Sequence, residues 1–460
     1  MKLNSEEKVK STTRVIAYRL LKKIQDSDAY ANIILDDYIN NHDISVQDKK
    51  FLTELFYGTI RYQRQLDWVM YQNKTTHISS RAQDVKILVR LGLYQLLHMD
   101  SVPDYAAISE TLITAEMAGL SSYKKYINGL LANVSRHKNE IFKNLEDTDR
   151  DIKKAAILHS HPDWIAEAYM NRLGYSDTIK LMVHNNHPPK TVIRINQLKI
   201  NPNEFVKQLE NKQITYEINC YLPEAITITS PISVTDIPGY EDGLFYVQDT
   251  ASQIVGCSVS PAPGSKVLDM CAAPGGKTFS MAINMKNQGL LLAADINPNR
   301  IKLIQESAQR LGLSCIKTIE HDGTQVLSGY ENDKFDYVLV DAPCTGTGVL
   351  RRKVDSRWKK SLHDLSELTR LQNQILDSAS QMVRTGGGLV YSTCSLTTAE
   401  NENRVKKFLF KHRNFRVESL LDILPESCKS MVTDSGFFLS LPHRHHMDGL
   451  FACRLIKWTE

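Results

Sequence analysis

Two cysteines in the C-terminal part of the chain have types and surroundings suited to covalent chemistry. Cys344 follows the apolar run Tyr337–Val340, and Cys394 follows the run Leu389–Tyr391. If both runs are strands of one sheet, the two thiols lie at its edge, above the same ligand volume. A thiolate is a soft nucleophile that becomes potent when its pKa is lowered. A lone cysteine more often packs in a core, but two at strand ends favour a reactive pair.

Four carboxylates also come at or after apolar runs that are typical of strands. Asp269 follows Val267-Leu268, and Asp295 follows the run Leu290–Ala294 one strand–helix unit later. Asp322 and Asp341 come after two further runs. An acidic side chain in the position of Asp295 can accept both hydroxyls of a ribose. Each carboxylate by itself could be a helix cap, but the four together predict a site for a nucleoside-bearing cofactor.

A loop containing Gly275 and Gly276 joins the first of these strands to a helix. The stretch Lys266–Thr278 reads KVLDMCAAPGGKT, and its turn would direct several backbone N–H groups into one small volume. It contains neither G-x-G-x-x-G nor G-x-x-x-x-G-K-[ST], which excludes the dinucleotide fingerprint and the P-loop. The loop predicts a polar or anionic ligand of another kind.

The elements that must position these residues divide the chain into three predicted parts. Residues 241–460 alternate strands and helices, which predicts an α/β domain with a doubly wound sheet. Residues 141–240 predict a small α+β linker module, with strands at Thr191–Asn196 and Ala225–Ser230 and a helix at Pro202–Asn211. Residues 1–140 have helical periodicity and predict an all-α bundle. The helices expected there are Val9–Lys23, Tyr30–Asn40, Gln47–Met70, Arg81–His98 and Tyr105–Gly119.

The composition predicts a cytoplasmic protein without a metal. Of the 460 residues 42% are hydrophobic and 23% charged, and no apolar run approaches the roughly 20 residues that cross a bilayer. The N-terminal stretch lacks the apolar region of a signal peptide. The eight cysteines form no C-x-x-C pair, and no thiol or carboxylate lies at ligand spacing from the four histidines between 159 and 187. A zinc or disulfide framework is therefore not expected.

A basic run follows the Cys344 loop and suggests a nucleic-acid partner. Arg351, Arg352 and Arg357 lie in it together with Trp358. Such a run is usually a solvated face, but next to a predicted site it could contact phosphates, while the indole offers a stacking surface. The net charge of +4 permits such a partner without requiring it.

The motifs carry a family resemblance. LDMCAAPGGKT, AADINPNR, DYVLVDAPCTGTGVLRRKVDSRW and GGGLVYSTCSLTTAENENRV resemble the successive motifs of the S-adenosylmethionine-dependent RNA cytosine-5 methyltransferases. FLTELFYGTIRYQRQLD and YINGLLANVSR in the first part resemble the NusB-type RNA-binding helical domain. The whole chain is similar to the RsmB (Sun) type of the family, which methylates a cytosine of bacterial 16S ribosomal RNA.

The resemblance implies a Rossmann-like methyltransferase domain, S-adenosylmethionine as cofactor, 16S ribosomal RNA as partner and a role for each motif. Cys394 would be the nucleophile and Cys344 its partner in product release. Asp341 would contact N3 of the cytosine and would also lie beside the cofactor. Asp295 would bind the ribose, and Asp322 would lie near the adenine. The remaining residues implied for the cofactor site are Cys271, Ala272, Ala273, Pro274, Gly275, Gly276, Lys277 and Arg300. We expect a monomer without a membrane partner.

The chemistry explains why such an enzyme would need a thiol. Cytosine C5 is too weak a nucleophile to take a methyl group from a sulfonium, and thiolate addition at C6 turns C5 into an enamine carbon. In DNA cytosine-5 methyltransferases the Pro-Cys thiol is the nucleophile, so chemistry alone leaves the order of Cys344 and Cys394 open. Two other functions also remain open. One is the same chemistry on transfer RNA, DNA or another ribosomal position, and the other is a non-enzymatic RNA-binding assembly factor.

Overall fold

The computed structural model describes residues 12–27, 29–72, 83–146, 150–330 and 333–459. The chain forms two compact units. The first contains residues up to His187 together with Leu350–Lys359, and the second contains Pro188–Val349 and the residues from Lys360 onwards. Both sheets that the structure describes lie in the second unit. The division at residue 187 does not correspond to the boundaries predicted near 140 and 240, which stay predictions.

The first unit is helical, as the sequence predicted. Apolar side chains from its helices share one core that includes Leu52, Phe56, Leu88 and Leu131, which explains the helical spacing of apolar residues along this part. The helical pattern expected over Gln47–Met70 is two helices that meet at Tyr62. Of the other expected helices, Val9–Ser11 and Arg81–Ala82 lie outside the described residues. The helices are α1 (Thr13–Gln25), α2 (Ala31–Asn41), α3 (Val46–Arg61), α4 (Gln63–Gln72), α5 (Gln83–His98), α6 (Asp104–Met117), α7 (Lys124–His137), α8 (Ile152–Leu158) and α9 (Asp163–Asn185).

The second unit begins with a small four-stranded sheet. The strands are β1 (Thr191–Ile195), β2 (Tyr216–Ile218), β3 (Ala225–Ile228) and β4 (Phe245–Val247), in the order β2-β3-β1-β4. The pairs are antiparallel. Helix α10 (Pro202–Asn211) buries Phe205 and Leu209 in the same core as Ile193 and Ile226 of the sheet. This arrangement confirms the predicted α+β module.

A larger sheet carries the strands that follow the chemical motifs. Its strands are β5 (Lys266–Asp269), β6 (Leu290–Asp295), β7 (Ile316–Glu320), β8 (Phe335–Asp341), β9 (Val383–Thr393), β10 (Phe415–Glu418), β11 (Phe438–Leu439) and β12 (Phe451–Lys457). The order is β10-β12-β9-β8-β5-β6-β7, and β11 pairs with β12. The five strands from β5 to β9 are parallel, and β10 and β12 are antiparallel. The sheet is therefore mixed at one edge, whereas the sequence pattern indicated only a doubly wound parallel sheet.

Helices cover both faces of the larger sheet, which explains why its strands are apolar on both sides. Leu268 and Val338 lie in one core, and the neighbouring Val267 and Leu339 lie in another. The helices are α11 (Thr250–Val259), α12 (Gly276–Asn284), α13 (Pro298–Leu311), α14 (Ser356–Lys359), α15 (Leu362–Met382), α16 (Glu402–Lys411) and α17 (Pro442–His445). Of these, α14 belongs to the first unit. Because the parallel strands run the same way, their C-terminal ends meet at one edge, where open α/β sheets bind ligands.

Candidate active site

The three strands β5, β6 and β8 each end on an aspartate. Asp269, Asp295 and Asp341 are the last residues of these strands, which are neighbours in the sheet. Cys271 lies close to these carboxylates, and burial together with the charges of Asp269, Asp341 and Asp295 raises the pKa of its thiol. The predicted meeting of acidic strand ends is therefore present in the fold.

The loop after β5 is a tight turn that leads into helix α12. The N–H of Gly275 donates to the carbonyl of Ala272 at 2.7 Å. Gly275 has a φ of 103°, and a Cβ there would lie 2.5 Å from the Phe279 ring. A side chain is excluded on both grounds. The turn holds the backbone of residues 271–276 at the edge of the sheet, where the ligand was predicted.

Asp295 is held by backbone groups on either side. Its Oδ2 accepts from the N–H of Ala273 at 3.1 Å, and its Oδ1 accepts from the N–H of Asn297 at 3.0 Å. These two bonds fix the carboxylate next to the cofactor loop and leave it further lone pairs for a diol. Arg300 lies on the surface in the first turn of α13, with its backbone N–H on Asn297 Oδ1.

Asp322 lies two residues beyond β7, which pairs with β6 through Asp295 and Glu320. Its Oδ1 accepts from the N–H and the hydroxyl of Thr324, at 2.9 and 2.8 Å. These bonds lower the pKa of Asp322. The side chain is exposed, so it stays ionised and open to a ligand at the end of this strand.

Asp269 is a buried carboxylate with one oxygen unsatisfied. Its Oδ2 accepts from the Thr278 hydroxyl at 2.7 Å, while its Oδ1 has no hydrogen-bond partner of normal geometry. Burial raises the pKa of Asp269 to about 7. An orphaned buried acceptor at the end of a strand calls for a donor from outside the chain, since such groups are costly when left unpaired.

Lys277, in the first turn of α12, forms an ion pair with Asp341 at the end of β8. Its Nζ lies 2.5 Å from Asp341 Oδ2, and the other oxygen of Asp341 accepts from the Ser392 hydroxyl at 2.7 Å. Burial by itself lowers the pKa of Lys277, but the charges of Asp341, Cys394 and Asp269 outweigh it and raise the pKa. A protonated ammonium group therefore lies close to both Asp341 and Cys394.

The two predicted cysteines are in direct contact. The Sγ atoms of Cys344 and Cys394 lie 3.2 Å apart, and both side chains are partly exposed. Strands β8 and β9 run in parallel with Asp341 opposite Ser392, so the loops that follow these strands reach the same place. The close approach also depends on Gly348, whose N–H donates to the Cys394 carbonyl at 2.9 Å. A Cβ at Gly348 would lie 1.9 Å from the Gly449 carbonyl oxygen.

The surroundings make the two thiols unequal. The hydrogen bond to Cys394, burial and the charges of Cys394, Glu400 and Asp341 raise the pKa of Cys344 well above its usual range. Cys344 is therefore the member that keeps its proton. The charge of Cys394 raises the pKa of Lys277, and the same attraction favours the thiolate of Cys394. The geometry therefore places the Cys394 sulfur in contact with the Cys344 thiol, with the Lys277 ammonium group nearby.

Sequence reasoning gave no role to Glu400, which the structure places under both cysteine loops. The carboxylate is fully buried and accepts from the N–H of Thr345 at 2.8 Å and from the Thr397 hydroxyl at 3.0 Å. The only signal in the sequence was its position in the motif that contains Cys394. An acidic residue just before a helix is more often read as part of a helix start.

The basic run after Cys344 belongs to the first unit, which changes its interpretation. Within residues 350–359, which we name the arginine segment, Arg357 is fully buried. Its guanidinium donates to the carbonyls of Ser160 and Asn185 and to Asn186 Oδ1, at 3.1, 3.2 and 3.0 Å. Burial lowers the pKa of Arg357 to about 9. Arg357 holds the helical unit together, which corrects the prediction that it contacts phosphates.

The side chains of Trp358 and Arg351 also contact other residues of the first unit. The indole N–H of Trp358 donates to the Ile60 carbonyl at 2.7 Å, and its ring packs against the helical core. Arg351 is 9% exposed and its Nη1 lies 2.8 Å from His184 Nε2. Stacking of a base on Trp358 therefore does not fit the structure. Arg352 is partly exposed, and its RNA contact remains a proposal.

Neither a cluster of metal-ligating side chains nor a membrane-spanning helix is found among the described residues. In these ranges no group of three or more His, Cys, Asp or Glu side chains is arranged to hold a metal ion, and the absence of a metal stays an expectation. No helix among the described residues is long and apolar enough to cross a membrane.

Family models and curated relatives match nearly the full length of the chain. A model described as 16S rRNA methyltransferase RsmB/F matches residues 257–456, the NusB family matches 11–136, and an RsmF/B-like ferredoxin-like domain matches 161–235. A probable ribosomal RNA small subunit methyltransferase B from Synechocystis sp. is 35% identical, covering 97% of this chain and 99% of that protein. The probable enzyme of Bacillus subtilis is 34% identical with the same coverage. The Yersinia pseudotuberculosis enzyme is 30% identical, covering 96% and 98%.

Solved structures share the fold. The crystal structure of PH0851 has a TM-score of 0.80 at 24% identity, covering 98% of this chain and 100% of that one. A methyltransferase homologue from Pyrococcus horikoshii has a TM-score of 0.57 at 27% identity, covering 66% and 98%. NSun6 from the same organism, solved with the S-adenosylmethionine analogue SFG, has a TM-score of 0.57 at 23% identity, covering 66% and 100%. With three relatives at 30–35% identity over almost its whole length, the chain belongs to the RsmB/F family of 16S ribosomal RNA methyltransferases, whose cofactor is S-adenosylmethionine.

Proposed function

We propose that this protein methylates C5 of a cytosine in 16S ribosomal RNA through a covalent bond between Cys394 and C6 of the base. The observation that carries the proposal is the contact of Cys344 and Cys394 at 3.2 Å, at the ends of strands in one sheet. Family membership supports the methyl donor and the class of RNA. The choice of C5 and the covalent adduct rest on the two thiols.

The cofactor-binding residues fit S-adenosylmethionine. The unsatisfied Oδ1 of Asp269 suits a positively charged donor such as the amino group of the methionine portion. The Gly275–Gly276 turn, with Cys271 to Lys277, would hold that portion, and Asp295 would accept the ribose hydroxyls. Asp322 and Arg300 would lie near the adenine end. When bound, S-adenosylmethionine supplies an electrophilic methyl group attached to a sulfonium.

Attack by Cys394 would begin the reaction. The thiolate forms a bond to C6, and the C5–C6 double-bond electrons move to C5 and towards N3. Lys277 stabilises the thiolate before attack, since the charge of Cys394 raises the lysine pKa. As the ring accepts this charge, a proton must reach N3, and we assign Asp341, fixed by Lys277 and Ser392, to relay it from the Lys277 ammonium group. C5 then carries the electron pair that accepts the methyl group.

Release would require removal of the C5 proton and departure of Cys394. The electrons of the C5–H bond re-form the double bond, and the S–C6 bond breaks to return the thiolate. Cys344 is the base that we assign to this step. Its pKa is raised first of all by the hydrogen bond and charge of Cys394, and this cause disappears once Cys394 is bonded to carbon. Cys344 then releases its own proton to solvent and can accept the proton from C5, while N3 returns its proton through Asp341 to Lys277.

The base must leave its stack to reach both thiols. Binding of the RNA would come from the NusB-like unit and from phosphate contacts by exposed cations, among which we include Arg352. Arg351, Arg357 and Trp358, also predicted to contact RNA, are held within the first unit instead.

Covalent trapping tests the proposal. Unmethylated 16S ribosomal RNA and S-adenosylmethionine are mixed with each variant, and adducts are separated on a denaturing gel. We expect Cys344→Ala to accumulate a protein–RNA adduct, while Cys394→Ala and the double variant form none. Cys220→Ala is the matched control, because Cys220 is an exposed thiol remote in sequence from the motifs, and it should turn over normally.

Three results would contradict parts of the proposal. An adduct with Cys394→Ala and none with Cys344→Ala would reverse the two roles. Full turnover by both single variants would end the covalent mechanism. Methylation of transfer RNA or of another ribosomal position, detected by mass spectrometry, would keep the chemistry and change the substrate. Absence of methyl transfer to any RNA by the unaltered protein would favour a binding or assembly role.

A further inference from the structure

Glu400 is a fully buried carboxylate whose two oxygens are occupied by donors from several segments. Oε1 accepts from the N–H of Thr345 at 2.8 Å and from Gln372 Nε2 at 3.1 Å. Oε2 accepts from the hydroxyls of Thr345 and Thr397, at 2.5 and 3.0 Å. All of these donors are neutral, so neutral hydrogen bonds hold the buried carboxyl group. Such a group is costly to bury, and the cost indicates a use.

The donors come from both cysteine loops. Thr345 directly follows Cys344, and Thr397 comes three residues after Cys394. Gln372 of α15 also donates to the carbonyl of Pro343 at 3.0 Å, so it supports the Cys344 loop on its other side. The backbone carbonyl of Glu400 accepts from the buried Tyr391 hydroxyl at 2.6 Å. One residue therefore links the ends of β8 and β9 with helix α15.

A second chain of hydroxyl contacts crosses between the same loops. Ser395 Oγ lies 3.3 Å from Thr345 Oγ1 and 3.1 Å from Thr347 Oγ1. Thr347 Oγ1 in turn accepts from the N–H of Leu396 at 2.9 Å. These contacts are made by hydroxyls that can rotate, whereas the carboxylate of Glu400 accepts only. It therefore fixes the direction in which the neighbouring hydroxyls donate.

We propose that Glu400 is a positioning residue that holds the Cys344 and Cys394 loops in register and keeps the shared proton of the thiol pair on Cys344. The inference rests on the proposed function, since it assigns different roles to the two thiols. Glu400 does not touch either sulfur through a hydrogen bond that the structure describes. It acts through Thr345 and Thr397 and through its charge.

The charges around the pair support this asymmetry. Glu400 and Asp341 raise the pKa of Cys344 in addition to the bond with Cys394 and burial, while the ammonium of Lys277 attracts Cys394. Tyr391 faces Cys344 and Glu400, and burial followed by those two charges raises its pKa, so it remains neutral. Four titratable groups therefore surround the pair: Asp341, Lys277, Tyr391 and Glu400. Two more act on these neighbours, because Arg404 faces Tyr391 and Asp269 faces Lys277.

Glu400→Gln tests the inference with little change in shape. The glutamine keeps one acceptor but turns an NH₂ group towards donors from Thr345, and it removes the charge. We expect kcat to fall about 100-fold, the effect of a reacting group misplaced by about 1 Å, while KM for S-adenosylmethionine stays unchanged. Glu402→Gln makes the same change two residues later on a partly exposed side chain, and it should keep the activity of the unaltered protein.

Alkylation of the free protein with iodoacetamide tests the positioning without RNA. Mass spectrometry of the modified peptides gives the ratio of label on Cys394 to label on Cys344 across a pH series. We expect Cys394 to be preferred in the unaltered protein and the preference to shrink at least threefold in Glu400→Gln. The midpoint of labelling should move to lower pH, because loss of a negative charge makes thiolate formation easier.

Two variants of Thr345, one without and one with a hydroxyl group, keep the test decisive if Glu400→Gln does not fold. Thr345→Val removes the hydroxyl that donates to Glu400 at 2.5 Å, whereas Thr345→Ser retains it. We expect Thr345→Val to lower kcat about tenfold, the loss of one hydrogen bond of roughly 1–1.5 kcal/mol, and Thr345→Ser to restore it. Equal kcat and equal labelling ratios for the two variants would overturn the proposal.

The two proposals fail in different ways. If Glu400→Gln folds with an unchanged melting temperature and keeps both kcat and the labelling ratio, Glu400 does not position the thiols, while the proposed chemistry stands. If the unaltered protein forms no 5-methylcytosine yet its labelling ratio depends on Glu400, the proposed function fails and the positioning role remains.

Discussion

The Cys344 loop and the arginine segment are separated by only a few residues, yet the charged groups around the two are used in opposite ways. In the second unit, Lys277, Asp341, Cys344 and Cys394 form a strand-end cluster whose members are partly exposed and share protons. In the first unit, the guanidinium of Arg357 is fully buried and bonded to carbonyl oxygens. The difference teaches that density of charge in a sequence does not indicate function. The reactive cluster differs from Arg357 in two respects: its side chains are partly exposed to solvent, and its neighbouring groups can exchange a proton.

The same contrast applies to the carboxylates. Asp355 of the arginine segment accepts from the N–H of Ala31 at 3.2 Å and so satisfies a donor at the start of α2. Asp269 of the sheet leaves one buried oxygen without a partner. A carboxylate oxygen that already accepts from the chain supports structure, whereas an unsatisfied one is poised for a ligand.

The largest expected effect is the loss of catalysis in Cys394→Ala. Removing the nucleophile should lower kcat by at least about 10⁴-fold, as for nucleophiles that act with a partner. The side chain is partly exposed, so the free energy of unfolding should change by less than about 0.5 kcal/mol. Turnover assays and thermal denaturation measure the two quantities. A large loss of stability would place Cys394 with the structural groups.

The opposite outcome is expected for Arg357→Met. Several buried carbonyls would lose their donor, at about 1–3 kcal/mol for each group left unsatisfied, so the protein should lose roughly 2–4 kcal/mol of stability. Chemical denaturation measures the loss, and Arg413→Met, a change at an exposed arginine, is the control. Unchanged stability with weakened RNA binding would restore the phosphate role that the sequence suggested.

A third prediction concerns the pH dependence of cofactor binding. The pKa of Asp269 is raised to about 7 in the folded protein, so the carboxyl is neutral below that pH and ionised above it. An ionised Oδ1 attracts a cationic donor, and affinity for S-adenosylmethionine should therefore rise about tenfold between pH 6 and pH 8. Calorimetry measures the affinity. Asp269→Asn should bind more weakly and without this dependence, and an unaltered pH profile in that variant would remove Asp269 from the cofactor site.

The same shift makes a prediction for stability with the opposite sign. The folded pKa of Asp269 lies above the unfolded value of about 3.9, so the folded state binds the extra proton. Its contribution to stability is complete below pH 4 and is lost as the pH rises to 7. Thermal denaturation without cofactor should show this decline. It should be smaller in Asp269→Asn, where the group cannot titrate.

The smallest effect is expected at Arg352, the partly exposed arginine of the segment. Arg352→Ala should weaken RNA binding about threefold and lower the log–log salt slope by about 0.7–0.9 for one lost phosphate contact. Binding assays across a salt series measure both quantities, with Arg413→Ala as the control. Unchanged affinity and slope would mean that the arginine segment is structural throughout.

Much of the fold could be predicted because the relevant signals are local. The alternation of apolar strands and helices indicated the larger sheet, and Asp269, Asp295 and Asp341 are indeed the last residues of their strands. The antiparallel edge formed by β10 and β12 could not be read in the same way. Strand direction depends on pairing between distant segments, which local periodicity does not encode.

Residue types and their spacing already show which groups are available: two thiols after strands, a glycine turn, and acidic strand ends whose spacing indicates a nucleoside cofactor. Which of these groups meet follows from the fold. It brought Cys344 and Cys394 to 3.2 Å, placed Glu400 beneath both loops and buried Arg357 in the helical unit. The physical reason is that side-chain type is a property of the residue, whereas burial, charge neighbours and hydrogen-bond partners come from segments far away in the chain.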